Sequence, residues 1–357
     1  MTRYDVAIVG AGMAGAGLAA ALAGEARVLL LEAEERPGYH STGRSAAFWS
    51  ESYGGPLVQP LTSASHDALQ PFLRPRGCIH LADAAGEEAL AVLAAEFAGS
   101  PVALQPLARA DLESRIPGLR PRWNRGLSEP TCADIDVAGL HAACLRAARA
   151  ELVTNARVTG AMREGNRWRL ATTAGEYEAD LLVDAAGAWA DEIAVLAGEQ
   201  PLGIRPYRRT IAQLRVDPAA PADLPLIVDA RRLLYFKPEA GGRLWLSPHD
   251  ETPCEPCDAA PEERDVALAI DRLEQVVDWR VAAVEHKWAG LRSFAPDRLP
   301  VYGFSASGRG FFWCAGQGGF GIQTAPAASA LAAALLLGRP GAEIDPAPYA
   351  ATRFDEV

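Results

Sequence analysis

The sequence predicts an α/β protein of two domains, one built on a parallel sheet and a smaller one built on an antiparallel sheet. Three units of strand, glycine turn and helix recur, with strands at Val6–Val9, Leu181–Val183 and Phe311–Cys314. Such units are typical of parallel sheets whose strands meet a ligand at their carboxyl ends. Strand candidates instead dominate residues 205–288, and 357 residues suffice for a large core and two domains.

The first unit is the stretch DVAIVGAGMAGAGLAAALAGEARVLLLE. It contains a buried strand, three glycines at GxGxxG spacing (Gly10, Gly12 and Gly15), a small-residue helix, a second strand and an acid, Glu32. The glycines suit a tight turn, the approach of a pyrophosphate to the backbone, and close packing of helix on strand. Glu32 can accept hydrogen bonds from the hydroxyls of an adenosine ribose. The unit therefore predicts a Rossmann-like dinucleotide site.

The last unit indicates which dinucleotide is bound. A glycine loop at 316–321 separates its strand from a helix at 324–337. NAD-dependent dehydrogenases need no such C-terminal loop, whereas a flavin dinucleotide lying across a domain has two ends to hold. Arg44, beside Ser41, Thr42 and Ser45, offers a charge and hydroxyl groups to a pyrophosphate or flavin edge. Ser45 is also expected to open a short helix.

Composition excludes several classes of function. The formal net charge of −11 argues against nucleic acid or an anionic membrane as the main partner. The sequence has no apolar run of transmembrane length, and no signal peptide is expected ahead of the first strand. Six scattered cysteines fit a reducing cytoplasm, and the CxxC of Cys254 and Cys257 is expected to be a surface loop, not a metal or redox site.

These pieces together resemble the FAD-dependent amine oxidoreductases that include glycine oxidase, sarcosine oxidase and D-amino acid oxidase, with the greatest likeness to the D-arginine dehydrogenases. The matching segments span nearly the whole chain: GAGMAGA, PGYHSTGRSAA, TCADIDVAGLH, DAAGAWAD, PYRRT, YFKPEAG, HKWAGLRSF and GFFWCAGQGGFGIQT. The resemblance implies an FAD-binding domain at 1–75, 132–196 and 288–357, and a substrate domain at 76–131 and 197–287. It also implies non-covalent FAD, since Gly290 stands where covalent sarcosine oxidases carry a cysteine.

The resemblance and the glycine motifs together imply the residues that bind FAD. They are Gly10, Gly12, Met13, Ala14, Gly15, Glu32, Ala33, Ser41, Thr42, Gly43, Arg44, Ser45, Ala46, Ala47, Val158, Ala186, Gly187, Trp189, Arg292, Gln317, Gly318, Gly319, Gly321, Ile322, Gln323 and Thr324. No metal ligand is expected.

The resemblance also implies how a substrate is held. Arg209, Tyr235 and Arg292 map to the residues that bind the substrate carboxylate, and a guanidinium matches a carboxylate in shape and charge. Tyr53 maps to a mobile tyrosine that closes over the substrate, with Gly54 and Gly55 as its hinge. Gly319 is expected to face the flavin ring and the substrate amine.

Two departures from the D-arginine dehydrogenases concern the substrate side chain. Phe48 replaces a histidine, and Cys78 aligns with a glutamate that pairs with the substrate guanidinium. With Tyr53, Leu226 and Val228 these residues predict a largely apolar pocket. Glu51 is the one nearby acid that could pair with a cationic side chain.

The expected reaction is oxidation of D-amino acids with neutral or apolar side chains to 2-oxo acid and ammonia, by hydride transfer to flavin N5. No general base is evident in the sequence. Alternatives are a secondary, cyclic or glycine-type amine oxidase, a 2-hydroxy acid dehydrogenase, and a flavin-binding protein without turnover. The electron acceptor is expected to be oxygen, a quinone or another carrier.

Overall fold

The computed structural model describes residues 3–339 and 344–354. The remaining parts of the expected FAD-binding domain, at 1–2, 340–343 and 355–357, lie outside the described residues. Among the residues described, no helix combines the length and apolar character needed to cross a membrane.

In chain order the strands are β1 (Arg3–Val9), β2 (Val28–Leu31), β3 (Phe48–Trp49), β4 (Leu73–Pro75), β5 (Cys78–Ala82), β6 (Gln105–Leu107), β7 (Arg125–Glu129), β8 (Ala133–Ile135), β9 (Glu151–Val153), β10 (Val158–Glu164), β11 (Arg167–Thr172), β12 (Gly175–Asp184), β13 (Arg205–Asp217), β14 (Leu226–Asp229), β15 (Tyr235–Glu239), β16 (Arg243–Ser247), β17 (Thr252–Pro253), β18 (Arg280–Phe294), β19 (Val301–Phe304) and β20 (Phe311–Ala315). The helices are α1 (Met13–Ala21), α2 (Gln59–Ala64), α3 (His66–Leu69), α4 (Glu87–Glu96), α5 (Arg109–Arg115), α6 (Val137–Ala147), α7 (Ala190–Leu196), α8 (Glu263–Val276) and α9 (Ala325–Leu336).

The first sheet has a parallel centre in the order β9-β2-β1-β12-β20. Antiparallel β10 and β11 extend it beside the first half of β12, and β19 pairs with β20. Both faces are covered, so the central strands are apolar on both sides. Val6 and Ile8 pack toward α1 and α9, whereas Ala7 and Leu29 pack toward α7 and β10–β11.

The second sheet runs in the order β17-β13-β16-β15-β14-β5-β7-β6, and β18 pairs along the length of β13. Its pairings are antiparallel except that of β14 with β5. One face buries Ile79, Leu214 and Phe236 against α5 and α8, where Leu112 and Leu273 complete the core. The opposite face looks toward the first sheet. A small sheet, β3-β8-β4, lies between these two units in the chain.

The predicted fold class is confirmed: a parallel, Rossmann-like sheet is joined to a second, mainly antiparallel one. One local prediction is wrong. Ser45 opens no helix, because residues 45–47 have no regular secondary structure and lead directly into β3. The short strand β3 is held there by pairing with β8, a partner some 85 positions later (Phe48↔Asp134).

Candidate active site

A cavity of about 300 Å³ opens where β1, β2 and β12 end. It extends past the segment at 38–46 to the loop that follows β20. The carboxyl ends of parallel strands are the usual place for a cofactor in such sheets. The position agrees with the three strand–glycine–helix units of the sequence.

The turn between β1 and α1 requires its glycines. Gly10 has a φ of +100°, and a Cβ on it would lie 2.4 Å from the carbonyl oxygen of Ala185. Gly15 is a packing position, because its Cβ would lie 1.9 Å from the carbonyl oxygen of Gly10. The backbone N–H groups of Ala11 and Glu34 donate to the Glu32 carboxylate at 3.1 and 3.0 Å. These bonds fix Glu32 at the mouth of the cavity, where a ribose would lie.

Most predicted cofactor residues line this cavity. Those that do are Gly10, Gly12, Met13, Ala14, Glu32, Ala33, Ser41, Thr42, Arg44, Ser45, Ala46, Val158, Ala186, Gly187, Trp189, Arg292, Gln317, Gly318, Gly319, Gly321 and Ile322. Those that do not are Gly15, Gly43, Ala47, Gln323 and Thr324. Gln323 instead donates to the carbonyl of Tyr53 at 3.1 Å and to the hydroxyl of Thr62 at 2.9 Å, so its side chain supports the Tyr53 segment.

Arg44 lines the cavity, but its guanidinium is bound to other residues of the protein. It donates to the carbonyls of Tyr39, Ala259 and Ala289 and forms an ion pair with Asp258. A Cβ on Gly290, in β18, would lie 3.2 Å from the Cβ of Arg44. Arg44 therefore ties the wall of the cavity to β18.

The groups at the two ends of the cavity suit an FAD molecule bound in an extended form. One end has the N-terminus of α1, which favours phosphate, and the Glu32 carboxylate suited to a ribose. The other end is the backbone of Gln317–Gly319, next to Arg292. A nucleotide would occupy the first end and a flavin ring the second.

At the flavin end, Arg292 is a half-buried cation without a carboxylate within 4 Å among the described residues. Its Nη1 donates to the Tyr53 hydroxyl at 2.7 Å. Burial alone would lower the pKa of Arg292, but nearby Tyr53 and Tyr235 leave it above the ordinary value. An unpaired buried charge is costly, so this arrangement suits an anionic ligand.

Arg209 is the second cation of the same site and is 3% exposed. Its Nε donates to the Asp250 carbonyl at 2.7 Å and its Nη2 to Glu251 at 3.3 Å, while Nη1 is buried with no partner. Burial, together with Arg292, lowers the pKa of Arg209 to about 10, which still leaves it charged at neutral pH. The free Nη1 is a donor that a bound carboxylate would satisfy.

Strand pairing explains why the two arginines meet. Arg209 on β13 pairs with Gly290 on β18, two residues before Arg292, so both side chains lie on one face of the second sheet. Tyr235 on β15 shares this face and lines the cavity beside Arg292. Gly319 leaves the necessary room, because its Cβ would lie 2.2 Å from the Tyr53 hydroxyl and 3.0 Å from Arg292 Nη1.

A second cavity of about 450 Å³ joins the first at Arg292 and Tyr235. Phe48, Tyr53, Cys78 and Val228 line it, as the sequence predicts. Leu226 does not line it and is fully buried. We call this second cavity the side pocket.

Apolar surface makes up most of the side pocket, but the pocket also has polar and charged side chains that the sequence analysis did not name. They include Ser52, His80, Glu88, Glu96, Asp229, Arg231 and Arg232. His80 lies on β5, Asp229 on β14 and the two glutamates on α4, whereas Ser52, Arg231 and Arg232 lie in the loops after β3 and β14. The parallel pairing of β5 with β14 brings several of them beside the predicted positions.

The sequence analysis also missed a carboxylate, Glu129. It is fully buried and lies directly opposite Cys78 in the β5–β7 pairing. Ser50 Oγ donates to it at 2.9 Å and the N–H of Glu51 at 2.7 Å, and His80 Nε2 lies 3.5 Å away. Burial would raise the pKa of Glu129, but the bonds from His80, Ser52 and Ser50 hold it below the ordinary value. The carboxylate is thus ionised behind His80.

The other candidate acid, Glu51, does not enter the side pocket. Its carboxylate accepts a hydrogen bond from Ser63 in α2. The possibility that Glu51 pairs with a cationic substrate side chain is therefore not supported by its position.

His249 is a second residue that the sequence analysis missed. It lines the side pocket beside Tyr235, with ring centroids 5.5 Å apart and the rings perpendicular. No motif marks it, because its placement depends on how the loop after β16 returns toward Arg209.

This fold, with a dinucleotide cavity that ends at Arg209 and Arg292, defines an FAD-dependent oxidoreductase acting on amino acids or amines. The chain belongs to the DAO family, "FAD dependent oxidoreductase", whose profile matches residues 5–335. The cofactor prediction, FAD, is confirmed by this membership.

Individual relatives agree with the family. The chain is 30% identical over 261 residues to a glycine oxidase of Pseudomonas aeruginosa, an alignment that covers 69% of this chain and 68% of the relative. The crystal structure of glycine oxidase from Geobacillus kaustophilus superposes with a TM-score of 0.86 at 25% identity, over 99% of each chain. L-proline dehydrogenase from P. horikoshii shares the fold, with a TM-score of 0.86 at 18% identity over 99% of this chain and 98% of that one.

Proposed function

We propose that the protein oxidises D-amino acids with neutral side chains to 2-oxo acids and ammonia. One observation carries the proposal: the unpaired guanidinium of Arg292 and the free Nη1 of Arg209 meet at the junction of the FAD cavity and the side pocket. A carboxylate bound there would pair with Arg292 and satisfy the free Nη1 of Arg209, while the rest of the amino acid reaches the flavin on one side and the side pocket on the other.

Each site residue then has a distinct role. Arg292 and Arg209 bind and orient the carboxylate, and Tyr53 closes the site above Arg292. Gly319 makes room for the substrate amine beside the flavin ring. When bound, FAD accepts a hydride from the substrate Cα, and positioning by these residues is the contribution of the protein.

The volume of the side pocket favours a substrate larger than glycine. A cavity of about 450 Å³ leaves room for an entire side chain beyond Tyr235. Each methylene buried there contributes up to about 0.8 kcal/mol. Preference for a neutral side chain is supported by the mainly apolar lining of the side pocket and by Glu129, whose carboxylate is already satisfied by its hydrogen bonds. The D configuration rests on the resemblance to D-amino acid enzymes.

The test is anaerobic reduction of the flavin. The purified protein is mixed with D-leucine, D-methionine, D-phenylalanine, D-arginine, the L-enantiomers, glycine, sarcosine and 2-hydroxy acids, and flavin bleaching is followed. The neutral D-amino acids are expected to bleach fastest, and Arg292→Lys is expected to be slow with all of them. Bleaching by hydroxy acids alone, or by nothing, would overturn the proposal.

Glycine oxidation is the second candidate, because the relatives described above include glycine oxidases. The same panel separates the two functions. If kcat/KM is higher with glycine than with D-leucine, the side pocket does not hold a substrate side chain. Glycine oxidation then replaces D-amino acid oxidation as the proposed function.

We further propose that 1–75, 132–196 and 288–357 form the FAD-binding domain, that 76–131 and 197–287 form the substrate domain, and that the protein is cytoplasmic. Both sheets are compatible with this division, although β18 crosses the boundary at 287/288. The electron acceptor is proposed to be oxygen, a quinone or another carrier.

A further inference from the structure

We propose that His249 is the base that takes the proton from the substrate ammonium group. This inference rests on the proposed function, since it assumes an amino acid held by Arg209 and Arg292. The resemblance does not assign this role, and the sequence shows no motif for it.

The position of His249 is suited to the role. It lines the side pocket together with Tyr235 and Arg292, the two residues that also line the FAD cavity, so it lies next to the junction where the substrate would bind. Its backbone has a φ of +56°, a left-handed conformation that costs energy in most residues but is found more often for His and Asn. The N–H of His249 donates to Ser247 Oγ at 3.2 Å, which fixes this turn.

The same turn positions one of the arginines. Asp250 and Glu251, which follow His249 directly, accept hydrogen bonds from Arg209. Asp250 also accepts bonds from the N–H and the hydroxyl of Thr210, so its carboxylate is occupied. The loop therefore sets the distance between the imidazole and the carboxylate-binding guanidinium.

The imidazole is neutral and has an unused nitrogen. Nδ1 is buried and has no hydrogen-bond partner among the described residues. Burial lowers the pKa of His249 far below its ordinary value, and the guanidinium groups of Arg209, Arg292 and Arg232 lower it further. A neutral imidazole has one acceptor nitrogen, whichever tautomer is present.

Substrate binding would make this nitrogen more basic. In the free site the field of the two inner arginines opposes a third positive charge. A bound carboxylate offsets part of that field, which raises the proton affinity of His249 when an amino acid is present. The other titratable or charged groups that line the pocket are the hydroxyls of Tyr53 and Tyr235, the thiol of Cys78, the carboxylates of Glu88, Glu96 and Asp229, and the guanidinium of Arg231. His80 also lines the pocket, with its Nε2 engaged by Ser52 and Glu129.

The proposed step accounts for each proton and each electron pair. The N–H bond of the ammonium group breaks and its proton passes to the imidazole, which becomes imidazolium, while the amine keeps the electron pair. That pair then forms the C=N bond as the Cα–H leaves with its two electrons toward the cofactor. The proton returns to water when the imine is hydrolysed to the oxo acid and ammonia.

The test is the pH dependence of His249→Asn, because Asn tolerates the left-handed backbone. With D-leucine, kcat/KM is expected to fall about 100-fold at pH 7, within the usual contribution of a positioned base. The deficit should shrink to less than threefold at about pH 10, where the substrate amine is largely neutral in solution. His286→Gln, an exposed histidine on β18, is the matched control and should follow the wild type at every pH.

A deficit that is the same at every pH would overturn the role of base and leave His249 a structural residue. Flavin content and absorbance of the variant show whether the site is intact. If the wild-type flavin is not reduced by any amino acid, the proposed function has failed. If wild-type flavin is reduced but the variant shows no pH-dependent deficit, only this inference has failed.

Discussion

The guanidinium of Arg292 donates a 2.7 Å hydrogen bond to the hydroxyl of Tyr53, a residue 239 positions earlier in the chain. Gly54 and Gly55 follow with φ values of +106° and +82°, so the backbone beside Tyr53 turns in a way that glycine allows. The contact lies at the junction of the two cavities. A bound carboxylate would compete with Tyr53 for Arg292, which couples binding to movement of this segment.

Replacement of either carboxylate-binding arginine by lysine should impair turnover and leave FAD bound. A lysine point charge cannot reproduce the two-pronged contact, and a charge-assisted hydrogen bond is worth about 1.5–3 kcal/mol, or about ten- to a hundredfold in kcat/KM. Arg292→Lys and Arg209→Lys are compared by steady-state kinetics and flavin content. Arg215→Lys, on the same strand as Arg209 but solvent-exposed, is the control. If Arg292→Lys or Arg209→Lys retains near-normal kcat/KM, that arginine does not bind the substrate carboxylate.

Gly319→Ala should abolish most activity without unfolding the protein. The added Cβ would meet the Tyr53 hydroxyl at 2.2 Å and Arg292 Nη1 at 3.0 Å, so both side chains would have to move. We expect a loss of at least about tenfold in kcat/KM, in line with the cost of losing one charge-assisted contact. Gly160→Ala is the control, because its Cβ would only reach ordinary contact at 3.9 Å. Equal activity of the two variants would contradict the crowded geometry.

The purified protein should be yellow and should release intact FAD when denatured. Gly290 has no side chain through which a covalent bond could form, and Arg44 fills the space next to it. Acid precipitation followed by chromatography of the supernatant measures the released flavin. Flavin that remains with the precipitated chain would show a covalent link at some other residue.

Val228→Phe should narrow the range of substrates. Val228 lines the side pocket next to Tyr235 in the β14–β15 pairing, so a larger side chain there reduces the space beyond the reacting carbon. Activity with D-leucine and D-methionine is expected to fall at least about tenfold, as expected for a crowded hydrophobic pocket, while activity with glycine changes little. Val284→Phe, which is exposed, is the control. If both substrates lose activity equally, the side pocket does not hold the side chain.

Glu129→Gln should lower the free energy of unfolding at neutral pH. It should also make that free energy depend less on pH in the acid range. The folded-state pKa of Glu129 is below its ordinary value, so its charge stabilises the fold above that ordinary value, near 4.5. This contribution is lost as the pH falls through the lower, folded-state pKa. The wild type should therefore be the more stable by about 1–3 kcal/mol at pH 7, and the gap should shrink below pH 4.5.

Thermal unfolding at several pH values, followed by circular dichroism, measures this gap. Glu88→Gln, on the exposed face of α4, should show no comparable effect. A gap that stays constant down to the lowest pH tested would mean that Glu129 is not ionised in the folded protein.

The cofactor side of the fold could be predicted from sequence because its signals are local. The turn at Gly10–Gly15 requires glycine at fixed spacing, and Glu32 follows at the end of the next strand. The same is true of the glycine loop after β20. The arginines could be named only through resemblance, since their meeting depends on the pairing of β13 with β18.

The polar part of the side pocket could not be predicted, because the walls come from elements that are distant in sequence. Cys78 predicts an uncharged position, yet Glu129 lies opposite it on β7 and places a carboxylate near the same point. His249 follows no pattern at all and reaches Tyr235 through a left-handed turn. In both cases the chemistry is set by tertiary contacts.

Strand β18 also sets the distance between the bound cofactor and the bound substrate. Gly290 lines the FAD cavity, and Arg292, the proposed carboxylate ligand, lies two residues further along, a distance of about 6.6 Å in an extended strand. The side pocket proposed to select the substrate side chain has walls from β5, β14 and α4, none of which contributes to that spacing. Descendants of this chain could therefore acquire new substrates by substitutions in those elements, while insertions within β18 would separate the reacting atoms and be eliminated by selection.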